Sequence, residues 1–370
     1  MCGRWLLTIL AFLMRRLVAE HKQSSLEKSD MKTFFPLVAV AMATAFGQAQ
    51  IGEPLTLIQT IEIPDVAEGH HTDHLDIDLK GHRLFATTGE GHEVAVIDLE
   101  SGKVIHRIPV ASPHAVVYRG DLDRIYVSDD DPAEPGLKIF DGRDYKLIHS
   151  VNLLKRTDSM GYDPATKRLY LANGGKVTGA DHSFLTVVDS TTGERVRDIK
   201  ISAGTLEDMH LDHAGPRLYI ALMDKKQVAV VNREEGTVLE TWPVSKGIPV
   251  ATAVDEAHHR LFVASRSGQL HGDIVVLDTE TGKEITTLPI GGLADYLVFD
   301  PQNGRIYATC STANVYVFQE RPADSYVLLG KPETALLART GLLVPELARF
   351  FVLSPNTGLR PAEILVFKVQ

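Results

Sequence analysis

The sequence predicts an all-β fold, a seven-bladed β-propeller of four-stranded antiparallel blades. The first observation behind this prediction is a tripeptide, Arg-(Leu/Ile/Phe)-(Phe/Tyr), which occurs seven times at intervals of 41 to 49 residues. The copies begin at Arg83, Arg124, Arg168, Arg217, Arg260, Arg305 and Arg349. A repeat of roughly 40 to 50 residues that contains several short strands is typical of propeller blades.

The second observation is an apolar pair followed by a polar residue, about 12 to 20 residues after each arginine. The polar residues are Asp98, Asp141, Asp189, Asn232, Asp278, Gln319 and Lys368. Because the two motifs stay in phase through all the repeats, they define where each blade begins and ends. We interpret the repeated arginines and aromatic residues as packing positions of the blades rather than as site residues.

Each repeat predicts four strands, named A to D in chain order. In the first repeat they are residues 75–78, 83–87, 93–98 and 104–109. The strands are rich in Val, Ile, Leu and Tyr, which suit a half-buried pleated surface. Tight turns such as Asp163-Pro164-Ala165-Thr166 and Thr192-Gly193-Glu194 separate them. Gly, Asn and Asp supply the backbone angles that such hairpins need.

The two ends of the chain complement each other. After Arg349 the sequence predicts strands at 350–353 and 364–369, with no strand D beyond them. Residues 55–64 read as a strand D that has no strand A, B or C before it. Pairing this strand onto the last blade would close the ring and cover an open sheet edge. We therefore predict one propeller over residues 50–370.

The segment DPATKRLYLANG, followed after a short gap by FLTVVDSTTGERV, resembles the repeat of the YVTN β-propeller family. That family is named for a Tyr-Val-Thr-Asn run after the blade arginine, and the matching runs here begin at Tyr126, Tyr170 and Phe262. The resemblance covers about residues 55–370. It implies the propeller architecture and a surface-layer or secreted protein, and it implies no particular reaction.

The N-terminal region predicts export. Met31-Lys32 precedes an apolar run over 34–46 and the small-residue segment Gly47-Gln48-Ala49, which together read as a signal peptide over 31–49, cleaved after Ala49. Residues 1–30 are either an over-extended start before the true initiator, Met31, or a leader. The apolar run is too short for a membrane span. We expect a secreted or periplasmic mature chain with no membrane span.

Cysteine content and charge exclude several classes of protein. Cys2 precedes the signal peptide, so the mature chain would hold Cys310 alone and no intramolecular disulfide is expected. No Cys-x-x-Cys-His motif is present for covalent haem. The net charge of −10 argues against nucleic acid as the main partner. We expect a monomer that binds a small molecule or a protein.

The connections between strands predict which face of the disc binds. Alternation of strand direction places the B–C loops on the same side as the D–A connections, which surround the channel mouth. The irregular B–C loops are residues 89–92, 129–136, 173–182, 265–272 and 354–361. Variable loops on a rigid scaffold commonly carry function, so the partner is expected at this face.

The D–A connections hold a dense polar set. Alignment of the blades on the repeated arginine places Asp73, Pro113, Asp158, Glu207, Val250, Asp295 and Arg339 at one position. The next position holds His74, His114, Ser159, Asp208, Ala251, Tyr296 and Thr340. Blade symmetry should bring these residues around one axis. We predict a ligand-binding site of Asp73, His74, His114, Asp158, Glu207, Asp208, Asp295, Tyr296 and Arg339.

Such a set of side chains has more than one use. Convergent carboxylates and imidazoles could bind a divalent cation, Ca²⁺ or Mn²⁺, or act as acid and base on a ligand. The alternative is a solvated polar rim. Four residues of the loop that enters the first blade are further candidate metal ligands: His70, His71, Asp73 and His74. They lack the helical spacing of a zincin, and the alternative is a surface loop.

Other catalytic signatures are missing from the sequence. It has no Gly-x-Ser-x-Gly elbow, no phosphate-binding glycine loop and no dinucleotide fingerprint. This favours a scaffold that binds a ligand or a protein at the channel mouth. Two alternatives remain: a propeller enzyme of lactonase or lyase type with a metal-assisted site, and a propeller that binds a redox cofactor.

Overall fold

The computed structural model describes residues 53–69 and 72–370, which form a seven-bladed β-propeller. Each blade is an antiparallel sheet of four strands, which follow chain order except that β1 is the outer strand of blade 7, and blade 6 carries an additional short strand. The predicted all-β fold is therefore confirmed. The predicted signal peptide, the residues before it, His70 and His71 lie outside the described residues.

The strands follow the predicted order in every blade. Blade 1 comprises β2 (Thr72–Asp78), β3 (Arg83–Thr88), β4 (Glu93–Asp98) and β5 (Lys103–Pro109), and blade 2 comprises β6 (Pro113–Arg119), β7 (Arg124–Asp129), β8 (Gly136–Asp141) and β9 (Leu147–Asn152). Blade 3 comprises β10 (Met160–Asp163), β11 (Arg168–Gly174), β12 (Ser183–Asp189) and β13 (Arg195–Ile201), and blade 4 comprises β14 (Leu206–Leu211), β15 (Arg217–Leu222), β16 (Gln227–Asn232) and β17 (Thr237–Pro243).

The remaining blades repeat the pattern. Blade 5 comprises β18 (Ile248–Asp255), β19 (Arg260–Arg266), β20 (His271–Asp278) and β21 (Glu284–Gly291). Blade 6 comprises β22 (Tyr296–Asp300), β23 (Arg305–Cys310), β24 (Thr312–Arg321) and β25 (Ser325–Gly330), with β26 (Glu333–Leu336) paired to β24. Blade 7 comprises β27 (Thr340–Val344), β28 (Arg349–Ser354), β29 (Ala362–Val369) and β1 (Leu55–Ile63). The A strands of neighbouring blades contact one another, so strand A is innermost.

The N-terminal strand closes the ring as predicted. β1 pairs antiparallel with β29, with Thr60 opposite Leu365 and Ile61 opposite Ile364. Ile61 and Ile63 are buried, with 2% and 1% of their surface exposed. The strand therefore supplies both the missing edge hydrogen bonds and part of the apolar core between blades 7 and 1.

The hydrophobic core is divided among the blade boundaries. Each of the seven clusters of buried apolar residues joins two neighbouring blades. Between blades 1 and 2, for example, Phe85 and Val96 pack with Val116 and Ile125. Every sheet is thus buried on both faces by its neighbours, which holds the disc rigid around the channel.

Side chains of Asp and Asn explain why the second sequence motif ends in a polar residue. The Asp98 carboxylate accepts a hydrogen bond from the Ser101 amide at 2.7 Å, and Asp278 does the same for Thr281 at 2.8 Å. These Asx-type bonds fix the C–D hairpins. Gly282 completes its turn with a φ of 67°, a conformation that favours glycine.

Two further features of the described chain bear on earlier expectations. Cys310 is fully buried and unpaired, and burial raises the pKa of its thiol to about 12. No helix among residues 53–69 and 72–370 is long and apolar enough to cross a membrane. The helical content of this part consists of short 3₁₀ turns at Lys176–Thr178, Met223–Lys225 and Pro345–Leu347.

Candidate functional site at the channel mouth

Backbone irregularities mark the mouth end of the innermost strands. In blades 1, 2, 4 and 5 the register between strands A and B shifts at the first residues of strand A. In blade 1 the shift lies between Thr72 and Leu75, and in blade 4 between Leu206 and Met209. A β-bulge redirects side chains, and in blades 1 and 4 it turns two consecutive residues toward partly exposed positions, Asp73 with His74 and Glu207 with Asp208.

The other three blades have a left-handed residue in place of a bulge. Arg156, Leu293 and Leu337 have φ values of 61°, 51° and 69°. Each lies two residues before a charged residue of the mouth: Asp158, Asp295 and Arg339. Such conformations cost about 1–3 kcal/mol for residues other than glycine and often occur at functional sites. All seven blades are therefore irregular at this end.

The irregular connections, together with the end of β19, bring eight charged or ionisable side chains into one circle, called here the charged ring. Its members are Asp73, His114, Arg156, Asp158, Glu207, Arg266, Asp295 and Arg339. His114 Nδ1 lies 2.9 Å from Asp73 and 3.4 Å from Asp158. Arg156 lies 3.6 Å from Asp158 and 2.6 Å from Glu207.

The second half of the charged ring continues the alternation of acid and base. Asp295 contacts two guanidinium groups, those of Arg266 and of Arg339, the latter at 2.8 Å. The charge of Arg266 also reaches Glu207, and that of Arg339 reaches Asp73, since each lowers the pKa of that carboxyl. Acidic and basic groups thus alternate all the way around the ring, with four carboxyl groups, three guanidinium groups and one imidazole.

Hydroxyl groups of strand B hold the ring residues in place. Thr87 Oγ1 donates to the main-chain carbonyl of His114 at 2.8 Å, in the next blade. Ser128 Oγ, the equivalent atom one blade later, donates to the carbonyl of Asp158 at 2.6 Å. Asp130 accepts from the Arg156 amide at 2.5 Å. The ring side chains are therefore mounted on a hydrogen-bonded support, which preorganises them.

Electrostatics favour a protonated His114. Burial alone would lower the pKa of its imidazole, but the hydrogen bond to Asp73 and the charge of Asp158 outweigh burial and raise it to about 9. Asp73 behaves conversely: burial raises the pKa of its carboxyl, but His74 and His114 together lower it below the ordinary value. Both groups are therefore charged at neutral pH.

The carboxyls on the other side of His114 have raised pKa values. Burial raises the pKa of Asp158 despite His114, and burial together with Asp158 raises the pKa of Glu207 despite Arg156 and Arg266. Raised carboxyl pKa values in a cleft are typical of functional sites and also occur in structural networks. The Glu207 side chain is 17% exposed, so this sector remains open to solvent.

Three further residues of the predicted site have contacts of their own. Asp208 accepts a hydrogen bond from the Thr252 amide at 3.0 Å, and the Tyr296 hydroxyl accepts from the Leu343 amide at 3.2 Å, both in the next blade. His74 Nε2 lies 3.3 Å from Asp73. Asp208 and Tyr296 thereby connect neighbouring A strands below the ring.

Sequence reasoning missed Arg156 and Arg266. The blade alignment compares residues at equivalent positions, and neither arginine occupies the position that carries the ring carboxylates. Arg156 lies two residues before Asp158, and Arg266 is the last residue of β19. For Arg156 a usable signal existed, since an arginine within a D–A connection that also carries an acidic residue is within reach of that residue's neighbours.

One sector of the ring has donor atoms suited to a metal ion. Asp73, His114 and Asp158 offer oxygen, nitrogen and oxygen atoms within 4.8 Å of one another. An ion at about 2.1 Å from each ligand places the ligand atoms about 3 Å apart, close to the 2.9 and 3.4 Å found here. Of the predicted metal ligands, Asp73 belongs to this set, and His70 and His71 lie outside the described residues.

Comparison with known proteins supports the fold and leaves the activity open. No family model matches the chain. The uncharacterized protein YncE of Salmonella typhi is 25% identical over 114 residues, and YncE of Salmonella typhimurium strain LT2 is 24% identical over 114 residues. The match covers 31% of this chain and 32% of each relative, so the chain spans about a third of their length.

A solved structure extends the comparison to most of the propeller. The hydrazine synthase of Kuenenia stuttgartiensis superposes with a TM-score of 0.67 over 82% of this chain and 98% of that chain, with 15% identity. At this identity the likeness shows the fold alone. The propeller is an architecture that commonly serves as a binding scaffold.

Proposed function

We propose that this protein is an extracytoplasmic binding protein whose charged ring holds a small zwitterionic molecule at the channel mouth. The observation that carries the proposal is the closed circle of alternating acidic and basic groups, contributed by all seven blades. A rim that only retained water would need neither a bulge nor a left-handed residue in every blade. The backbone cost of these features is offset if they position groups for a ligand.

The distribution of charge around the ring favours a dipolar ligand. On the side of blades 5 to 7, two guanidinium groups, Arg266 and Arg339, flank one carboxylate, Asp295. On the side of blades 1 to 3, two carboxylates, Asp73 and Asp158, flank His114. A ligand carboxylate would approach the first side and a ligand ammonium group the second. The three guanidinium groups already offset most of the acidic charge. The ring therefore attracts a simple cation less strongly than its carboxylates alone would.

Calorimetric titration with a panel of neutral amino acids tests the proposal. Methylamine and acetate serve as the two separate halves of the simplest amino acid. We expect an amino acid to bind more tightly than either half. Asp73→Asn and Arg339→Gln should each weaken binding about tenfold or more, because each removes a charged partner of the ligand.

Arg143→Gln is the matched control for these variants. Its side chain is 82% exposed and pairs with Asp141 in a C–D turn, on the opposite side of the disc from the ring. The control should bind as the parent does. Absence of binding throughout the panel, or equal binding by parent and ring variants, would refute the proposal.

A divalent cation is the second candidate ligand, and the Asp73, His114 and Asp158 donor set favours it. One nitrogen and two oxygen donors suit Mn²⁺ better than Ca²⁺, which prefers oxygen ligands alone. With a cation bound, a lactonase- or lyase-type reaction at the mouth becomes chemically feasible. The test is Mn²⁺ titration of the parent and of His114→Gln. This candidate is supported if the affinity of the parent for Mn²⁺ rises with pH as His114 loses its proton, and if His114→Gln lacks that affinity.

Family and location belong to the same proposal. Membership of the YVTN family is supported by the seven phased repeats. It is also supported by Ser128, which stands at the Thr position of the Tyr-Val-Thr-Asn run and whose hydroxyl donates to the carbonyl of the ring residue Asp158. Export rests on the sequence of residues 31–49. The redox-cofactor alternative stays a sequence prediction, since no feature of the described residues favours it.

A further inference from the structure

The repeated arginines connect neighbouring blades on the face opposite the channel mouth. At five boundaries the arginine that opens strand B reaches across to the following blade, at the C–D turn in four cases and at the C-terminal residue after strand C of blade 7 in the fifth. The pairs are Arg83 with the Gly142 carbonyl, Arg124 with the Thr191 carbonyl, Arg217 with the Thr279 carbonyl, Arg260 with the Asp324 carboxylate, and Arg305 with the Gln370 carbonyl. These contacts bridge the turns and close the gap between the blades.

At two boundaries the arginine turns back to its own blade. Arg168 pairs with Asp189 of blade 3, and Arg349 donates to the carbonyls of Leu347 and Ala348 in blade 7. A cleft opens at both places, of about 740 Å³ between blades 3 and 4 and about 280 Å³ between blades 7 and 1. The larger cleft has the size of a small-molecule site, roughly 300–1,000 Å³.

A different arginine occupies the vacated position in the larger cleft. Arg197, on strand D of blade 3, donates to the main-chain carbonyls of Arg233 and Glu234. These carbonyls belong to the C–D turn that Arg168 would reach if it followed the pattern of the other blades. Arg197 forms no ion pair with any carboxylate of the described residues, and its buried Nε has no hydrogen-bond partner. Among the described residues, no carboxylate therefore pairs directly with its charge.

The floor of the cleft holds a second guanidinium group, which is buried and fixed by hydrogen bonds. Arg233, only 8% exposed, pairs with Asp163 and donates to the carbonyls of Asp212 and Gly215, and its buried Nε likewise lacks a partner. The walls are apolar and include Tyr170, Val187 and Leu211. Two guanidinium groups with free donors thus lie beside an aromatic and aliphatic surface.

We propose that this cleft is a second binding site, specific for a small organic carboxylate with an apolar or aromatic body. The ligand carboxylate would accept hydrogen bonds from Arg197 and neutralise its charge. The ligand body would pack against this wall, whose exposed apolar part includes Val196, 48% exposed. This site is independent of the charged ring, which lies at the other end of the strands.

Titration with benzoate, followed by ligand-observed NMR, tests the second site, and benzamide provides a neutral control of the same shape. We expect benzoate to bind at millimolar concentration or better and benzamide to bind much more weakly. Arg197→Gln should lower the benzoate affinity about tenfold or more, since it removes a charged hydrogen-bond donor. Arg197→Lys keeps the charge and should lose less, which provides a second variant if the first is unstable.

Two controls separate this site from its surroundings and from the ring. Arg195, on the same strand, is 46% exposed and pairs with Asp198, so Arg195→Gln should bind benzoate as the parent does. Arg339→Gln, in the ring, should also leave benzoate binding unchanged. The proposal is overturned if benzoate does not bind, if benzamide binds equally well, if Arg197→Gln has no effect, or if Arg339→Gln abolishes binding.

Discussion

At the scale of single residues, the chemistry of the mouth depends on charges that the fold has taken partly out of water. His114 illustrates the effect, because its two carboxylate neighbours lie on different blades, at 2.9 and 3.4 Å. Neither neighbour is close to His114 in sequence. The charge state of the ring is therefore a property of the closed propeller, and it should change when a single group titrates.

The first prediction concerns the pH dependence of stability. The pKa of His114 is raised from 6.5 to about 9, so its stabilising contribution is fully present below about pH 6.5 and is lost as pH rises through about 9. The melting temperature of the parent should fall over this interval. The difference in unfolding free energy between the parent and His114→Gln should shrink over the same interval, by up to about 3 kcal/mol. Melting curves across this range measure both.

NMR titration of the imidazole checks the same assignment directly. A His114 ring that titrates near its ordinary pKa would contradict the buried contacts with Asp73 and Asp158. An equal pH slope in parent and His114→Gln would also contradict them, because the slope would then come from other groups.

The blade alignment brought together residues that contact one another in the structure, but it did not predict every partner. Asp73, Asp158, Glu207, Asp295 and Arg339 converge because blade symmetry dictates where strand A begins. Arg156 and Arg266 were missed because long side chains reach the ring from positions that the repeat does not align. Such contacts depend on side-chain direction and on the local backbone, which the repeat pattern does not report.

At the scale of strands and blades, the molecule depends on two kinds of contact across each boundary. Apolar clusters join the sheet faces, and arginines bridge the turns. The repeated tripeptide contains one residue of each kind: the arginine crosses the boundary in five cases, and the aromatic residue packs in the core. The interpretation of these residues as packing positions was sufficient to predict the fold. It did not predict that Arg168 and Arg349 contact their own blade instead of the next one.

The second prediction concerns the N-terminal strand. Ile61 is buried with 2% of its surface exposed, and Ile58, on the same strand, is 47% exposed. Ile61→Ala should lower the free energy of unfolding by about 2–5 kcal/mol through loss of burial and creation of a cavity. Ile58→Ala should change it by about 0.5 kcal/mol or less. Denaturant melts compare the pair, and equal effects would contradict the role of β1 in closing blade 7.

The third prediction concerns the arginine bridges. Arg83 pairs with Asp78, whose side chain is 6% exposed, and reaches Gly142 and Tyr145 of the next blade. Arg83→Gln should cost about 3 kcal/mol or more, because it leaves a buried carboxylate without its partner. Arg143→Gln, which removes an exposed ion pair, should leave the free energy of unfolding nearly unchanged. An Arg83→Gln protein as stable as the parent would show that the bridges contribute nothing to the fold.

At the scale of the whole molecule, closure converts seven similar sheets into one rigid frame with two different faces. The mouth face has irregular loops and the charged ring, and the opposite face has short turns and the arginine bridges. Length, period and the complementary chain ends were enough to predict this architecture. Ligand identity could not be predicted, because the fold is compatible with many unrelated functions.

The fourth prediction concerns processing. The sequence of residues 31–49 predicts a mature protein that begins at Gln50 and lies outside the cytoplasm. N-terminal sequencing or intact mass measurement of protein from its own host, after fractionation, tests both parts. A soluble protein that retains Met1 or Met31 would contradict the predicted export.

The most direct test of the account is whether the charged ring binds a ligand. Melting temperatures would be compared for the parent, Asp158→Asn and Glu207→Gln, with amino acids, with Ca²⁺ or Mn²⁺, and with chelator. Without ligand, we expect either variant to be as stable as the parent or more so, because burial raises the pKa of both carboxyls and so disfavours their charged forms. A ligand at 100 times its Kd should stabilise the parent by about 2.7 kcal/mol, and both variants should lose most of that gain. Identical curves for all three proteins in every condition would contradict a binding function and leave the ring as a solvated rim.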